Sequence, residues 1–254
     1  MARLYAGFGG RLKPGPAIPS PNIWNWPEVY ERENAAQDVD DAVWAVLREL
    51  ADWAGADVLD VGCGDGFHLP RFAADAASVV GAEPHPPLVA RARARVAGLD
   101  RVRVVEAGAA NLPLSDRSVD VVHARTAYFF GPGCEDGLAE ADRVLRPGGM
   151  LAIVDLDFTA APYGDWLRAD LPRYDPAKVE RWFDERGFVM RRVPTTWRFD
   201  DRATLEAVLR IEFSREVAAR ATAATPGLTI PVGYRVHVRR APTGLLAGPG
   251  HARR

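Results

Sequence analysis

Lysine is almost missing from this chain: Lys13 and Lys178 are the only two in 254 residues, and arginine carries the remaining positive charge. Basic and acidic residues nearly cancel, 32 against 34, for a net charge of −2. A protein that tracks a nucleic-acid backbone carries a basic stripe or excess. Neither is present, so no nucleic-acid partner is expected. Cysteine is also scarce. Cys63 and Cys134 stand alone, too few and too far apart for a disulfide framework or a metal cluster. His85 and His237 lack partners at ligand spacing, so no metal site is expected. No segment approaches the ~20 consecutive apolar residues that span a bilayer. The stretch Met1 to Pro21 is rich in Gly and Pro without an apolar run, so it does not read as a signal peptide. These absences make a cytoplasmic protein without membrane contact the default expectation, with a homodimer left open.

What is present suits burial. Hydrophobic residues make up 48% of the chain, enough for one α/β domain with a modest extension. The order along the chain suggests four parts: a flexible arm over 1–21, a helical extension over 22–54, a main domain over 55–240 and a disordered tail over 241–254. Asn22 to Pro27 looks extended. Glu28 to Trp53 reads as helix, with Val39, Val43, Val46, Leu47 and Leu50 at helical spacing. Short apolar strands then alternate with helical segments. Strands are expected at Val58–Val61, Ser78–Glu83, Val102–Glu106, Val119–Ala124 and Met150–Leu156. Helices are expected at His68–Ala77, Pro86–Ala97 and Glu135–Leu145, the last closed by Arg146-Pro147-Gly148-Gly149. This alternation implies a parallel sheet with helices on both faces. Beyond it, a helix at Pro176–Arg186, a strand at Phe188–Phe199, a helix at Arg202–Ala221 and a strand at Leu228–Arg240 are expected.

The strongest signal is Val58-Leu59-Asp60-Val61-Gly62-Cys63-Gly64-Asp65-Gly66. Ligands of open α/β sheets bind beyond the carboxyl ends of the strands, and glycines in the first strand-to-helix turn let the backbone approach them. Dinucleotide enzymes want glycine at the first, third and sixth positions of that turn. Here the sixth position is Phe67. Asp60 and Asp65 flank the turn and would repel a pyrophosphate, whereas they suit a ligand with an ammonium and a sulfonium. Glu83 ends the second strand, where an acidic residue accepts both ribose hydroxyls.

Val58 to Phe158 resembles the core of the class I, Rossmann-like SAM-dependent methyltransferases. The turn from Asp60 to Gly66 resembles their first motif, and Glu83 matches their ribose-binding acid. Gly108-Ala109-Ala110-Asn111-Leu112-Pro113-Leu114 resembles the loop that frames adenine, although Ala109 stands where many relatives have an acid. Asp120-Val121-Val122 and Leu145-Arg146-Pro147-Gly148-Gly149 match the fourth strand and the turn before the fifth. The resemblance implies a doubly wound, mostly parallel seven-stranded sheet with one antiparallel strand and an N-terminal helical lid. It implies S-adenosyl-L-methionine (SAM) as cofactor, bound by Asp60, Gly62, Cys63, Gly64, Asp65, Glu83, Ala109, Ala110 and Asn111. Tyr30 and Arg125 are further candidates for the methionine end of SAM.

The expected reaction is transfer of the methyl group to O, N or C of a small-molecule acceptor by direct displacement. The alternative is a SAM-binding cyclase or binding module that transfers nothing. Such displacement needs alignment and water exclusion more than acid–base help. His123, Tyr128 and Asp157 are the candidate catalytic side chains. His123 lies inside an apolar strand and reads better as a buried, hydrogen-bonded residue. Trp24, Trp26, Trp166 and Trp197 either wall an aromatic acceptor or pack the core.

Overall fold

The computed structural model describes residues 20–243, so the arm and tail expected at the two ends lie outside the described residues except for 20–21 and 241–243. Three helices precede the sheet: α1 (Pro21–Asn25), α2 (Pro27–Ala36) and α3 (Ala42–Leu50). The central order is then β1 (Asp57–Val61), α4 (Leu69–Ala73), β2 (Ser78–Glu83), α5 (Pro86–Arg95), β3 (Val102–Glu106), β4 (Val119–Arg125), α6 (Glu135–Val144) and β5 (Leu145–Leu156). It continues through α7 (Tyr163–Asp170), α8 (Pro176–Asp184), β6 (Val189–Arg198), α9 (Arg202–Glu212), α10 (Arg215–Ala224) and β7 (Thr229–Arg240).

The seven strands form one sheet in the order β3-β2-β1-β4-β5-β7-β6. Only β7 runs against its neighbours, β5 and β6. This is the mixed sheet that the family resemblance implies. Side-chain alternation along each strand splits the core in two. Val58, Val79 and Val121 face one layer, in which Val43, Trp44, Leu47 and Phe72 of α3 and α4 are buried. Leu59, Val80 and Val122 face the other, with Leu138 of α6 and Phe183 of α8. Each such aliphatic side chain contributes about 1.5–3 kcal/mol by leaving water. Connections leave β1 toward β2 on one side and reach β4 on the other, so a crevice opens at the carboxyl end of β1.

Several local expectations need correction. The segment around Trp24, expected to be extended, forms α1. Pro21 starts that helix, and the Asn25 side chain donates to the Pro21 carbonyl at 2.7 Å. The single helix expected over 28–53 is two. Asp38 and Asp41 adopt left-handed backbone, φ +48° and +56°, and the Asp38 carboxylate accepts the Val43 N–H at 3.0 Å. An aspartate that binds a following backbone N–H stops one helix and starts the next. The helix expected over 202–221 also breaks in two. Ser214 caps α10, and Asp170 accepts its N–H at 2.6 Å. Helix α7 was not foreseen, and β5 begins at Leu145, so the Pro-Gly-Gly segment belongs to the strand. Trp197 is buried and donates to the Tyr234 hydroxyl at 3.0 Å, while Trp166 packs on Tyr163 and Phe213. These two tryptophans are core, not acceptor walls. Among the described residues no helix is long and apolar enough to cross a membrane.

Candidate functional site

A cleft of about 860 Å³, counted out to its open mouth, lies at the carboxyl ends of β1, β2 and β4 and under α1 and α2. Its floor is the turn after β1. Gly62 and Gly64 there have φ of +72° and +58°, a region that side chains with a Cβ resist. A Cβ on Gly62 would stand 2.5 Å from the Ala127 Cβ, and one on Gly64 would stand 2.8 Å from Ile23 Cδ1. Glycine thus keeps the floor open between the end of β4 and helix α1.

Glu83 fixes this turn from the β2 side. One carboxylate oxygen accepts the Gly64 N–H at 3.1 Å and the other accepts the His85 N–H at 3.0 Å. Burial raises its pKa to about 7 against the pull of those two N–H groups. Each oxygen keeps a further lone pair for a donor in the cleft. Above Glu83, Trp24 stacks on His85, with centroids 4.3 Å apart and planes 11° from parallel.

Gly62, Cys63, Gly64, Asp65, Glu83, Ala109, Arg125 and Tyr30 all line the cleft, as does Tyr128. Asp65 is buried. Its Oδ2 accepts Arg95 at 2.9 Å, while its Oδ1 has no partner. Burial pushes the Asp65 pKa up, and Arg95 pulls it back. Arg125 is 8% exposed. Its Nη2 donates to Gln37 at 3.1 Å and its guanidinium lies over the Tyr234 ring, but Nε and Nη1 have no hydrogen-bond partner. A second cavity adjoins the first, and Arg125, His68, Phe67 and Asn34 stand in the walls of both. Burial and neighbouring cations hold His68 well below the usual histidine range, so it is neutral.

Other candidates do not line the cleft. Asp60 and His123 pair across β1 and β4, which turns both side chains to the α3–α4 face. There Asp60 Oδ1 meets His123 Nδ1 at 2.7 Å, packed beside Trp44 and Phe72. Ala110 and Asn111 do not line the cleft either, and Asn111 is exposed to solvent. Asp157 is buried outside it, accepting the Thr159 N–H and hydroxyl at 2.8 and 2.7 Å and pairing with Arg192 at 3.0 Å. Sequence reasoning passed over Ile23, His68 and Thr126 as site residues. The only signal for His68 was its place just after the glycine turn. Among the described residues no group of three His, Cys, Asp or Glu side chains could hold a metal ion.

Comparison with known proteins agrees with this geometry. Residues 58–149 match the sequence profile of the methyltransferase domain. The chain is similar to a demethylmenaquinone methyltransferase of Clavibacter sepedonicus, 35% identical over 52% of this chain and 56% of that one. It is similar to a 27-O-demethylrifamycin SV methyltransferase of Amycolatopsis mediterranei (strain S699), 40% identical over 47% of this chain and 45% of that one. The chain thus spans about half the length of these curated relatives. Its fold matches the crystal structure of the 4+2-cyclase SpnF with a TM-score of 0.56 and 24% identity, over 82% of this chain and 83% of that one. In its glycine turn, strand-end acid and sheet order, the segment 58–149 and the sheet around it are similar to the class I SAM-dependent methyltransferases.

Proposed function

We propose that the chain moves the methyl group of SAM to O, N or C of a small-molecule acceptor in the cleft over the glycine turn. The observation that carries this reading is the meeting of Glu83, the Gly62–Gly64 floor and the end of β4 in one cleft. The residues fit the cofactor. Glu83 has two oxygens for a ribose diol. The unpartnered Asp65 Oδ1 suits an ammonium, and the unpartnered Nε and Nη1 of Arg125 suit a carboxylate. Ala109 offers a small, buried surface where an adenine edge would rest.

Bound SAM supplies a methyl group already activated by positive sulfur. The chain's own part is to bind, align and exclude water. Burial, then the charges of Glu33 and Glu212, hold the Tyr30 phenol above its usual range, so it stays a donor. Ile23 and Trp24 of α1, with Tyr30 and Asn34 of α2, cover the cleft from the N-terminal side. We read α1 and α2 as a lid. Amides of Trp24 to Asn34 should gain hydrogen-exchange protection when S-adenosylhomocysteine (SAH) is added. Protection that follows protein concentration and ignores SAH would instead mark a dimerisation arm.

A small acceptor fits the absence of a basic excess, and the two relatives are named for demethylated menaquinone and rifamycin acceptors. The test is conversion of SAM to SAH with a panel of quinols and hydroxylated polyketides. Turnover with tRNA or a peptide and none with the panel would overturn the small-molecule reading. A second reading, a SAM-binding cyclase, draws on the fold match to SpnF and on a cleft that neither His123 nor Asp157 reaches. Product formed while SAM stays unconsumed would favour it.

A further inference from the structure

The segment that leaves β4 carries two backbone outliers side by side in the cleft. Thr126 has φ +47° and Tyr128 has φ +54°. A β-branched residue in the left-handed region is disfavoured by its own side chain, and such strain, of order 1–3 kcal/mol, gathers at ligand-binding positions. The fold holds both residues there. The Thr126 N–H donates to the Val154 carbonyl at 2.8 Å. The Tyr128 ring lies on Gly137 of α6, where a Cβ would stand 2.2 Å from Cε1. Between them Ala127 rests on Gly62, the residue at the centre of the cofactor floor.

Position on the sheet says what this segment faces. β2 and β4 flank β1, so Glu83 and Thr126 approach the glycine turn from opposite sides. A SAM ribose held by Glu83 would lie beside the glycine turn, with the β4 side of the cleft open to the rest of the cofactor. Thr126 stands on that side, and its hydroxyl lies within hydrogen-bonding reach of the Tyr30 phenol. Neither group ionises near neutral pH, so the pair recognises a neutral oxygen and has no charge to offer an anion. Tyr128 adds an aromatic wall.

We propose that Thr126, with Tyr30, binds a neutral hydroxyl or carbonyl oxygen of a ring-bearing acceptor and that Tyr128 packs on the ring. This rests on the SAM-binding reading above and names the acceptor class for that same cleft. Thr126 acts by direct contact with the acceptor from its place in the wall of the cleft.

The test is calorimetric titration of the SAH-loaded protein with naphthol, a neutral hydroxyaromatic probe, and with naphthoate, its anionic counterpart. Naphthol should bind the wild type more tightly than naphthoate does. Thr126→Val, which keeps the branched shape and removes the hydroxyl, should weaken naphthol binding roughly two- to tenfold, the scale of one neutral hydrogen bond. Thr126→Ser should restore it. Thr126→Gly relieves the backbone, so it should melt no lower than the wild type while losing naphthol affinity. All three variants should bind SAH as the wild type does. Naphthol affinity that ignores Thr126→Val, naphthoate preferred over naphthol, or no naphthol binding to a protein that binds SAH would each overturn the proposal. A lower Tm and weaker SAH binding in Thr126→Gly would assign Thr126 a structural role. Failure of SAH to bind the wild type would count against the SAM-binding reading itself, a separate result.

Discussion

Replacing Glu83 by glutamine tests the cofactor site with the least change of shape. In the wild type each carboxylate oxygen accepts one backbone N–H, from Gly64 and from His85. Glutamine has one acceptor oxygen, and its NH2 group must face the other N–H. The same mismatch meets a ribose diol, because an amide nitrogen accepts no hydroxyl proton. One hydrogen bond to a charged group is worth about 1.5–3 kcal/mol, so SAH affinity at pH 8 should fall roughly 10- to 150-fold. The pH dependence adds an independent check. The Glu83 pKa is raised to about 7 by burial, and the ionised form is the better acceptor. Wild-type SAH affinity should therefore weaken as pH falls below about 7, by up to about tenfold per unit, while the variant stays flat in that range. Stability of the ligand-free protein runs the other way. A raised carboxyl pKa means the folded state holds a proton that the unfolded state releases. Its stabilising contribution is full below 4.5, the ordinary value for a glutamate, and is lost as pH climbs through about 7. Glu83→Gln should remove that slope. Calorimetry giving equal SAH affinity and equal pH profiles for both proteins would refute the assignment of Glu83 to the ribose.

Three further outcomes follow from the same geometry. Gly64→Val places a branched side chain at φ +58° and a Cβ 2.8 Å from Ile23 Cδ1, so calorimetry should find SAH binding abolished even where circular dichroism shows a folded protein. Arg125→Gln should weaken SAH by about 1.5–3 kcal/mol but leave methylthioadenosine, which lacks the amino-acid end, unchanged; equal losses for both ligands would remove Arg125 from the carboxylate. His123→Ala leaves the Asp60 carboxylate buried without its 2.7 Å partner, so thermal melting should show a loss of about 1–3 kcal/mol while SAH affinity holds. If that variant keeps its Tm and loses turnover alone, His123 is a catalytic base.

The strands β1 to β4 were legible along the chain because their apolar runs are short and separated by glycine and proline signals, whereas their order in the sheet is seen only in the fold. The turn from Gly62 to Gly66 and the acid at Glu83 were legible for a related reason: their spacing is set by the backbone, which sequence position records directly. Side-chain direction was not. Asp60 sits two residues before a turn that interrupts strand alternation, and the register and contact with His123 show that its carboxylate leaves the cleft. Asp157 looked like a loop acid open to substrate, yet Thr159 and Arg192 occupy it. The helix breaks at Asp38 and Ser214 are made by side chains that bind backbone or receive a distant partner, Asp170 in the second case. Such long-range partners leave no periodic trace. Thr126 escaped notice because nothing in its residue type announces a left-handed backbone.

The most direct test of the cofactor assignment is a crystal structure of the protein with SAH. The account predicts the ribose hydroxyls on the two oxygens of Glu83, adenine beside Ala109, the amino-acid carboxylate at Nε and Nη1 of Arg125, and the sulfur over Gly62 facing Thr126. SAH bound away from the Gly62–Gly64 floor, or bound there with its ribose off Glu83 and its sulfur turned from β4, would contradict it.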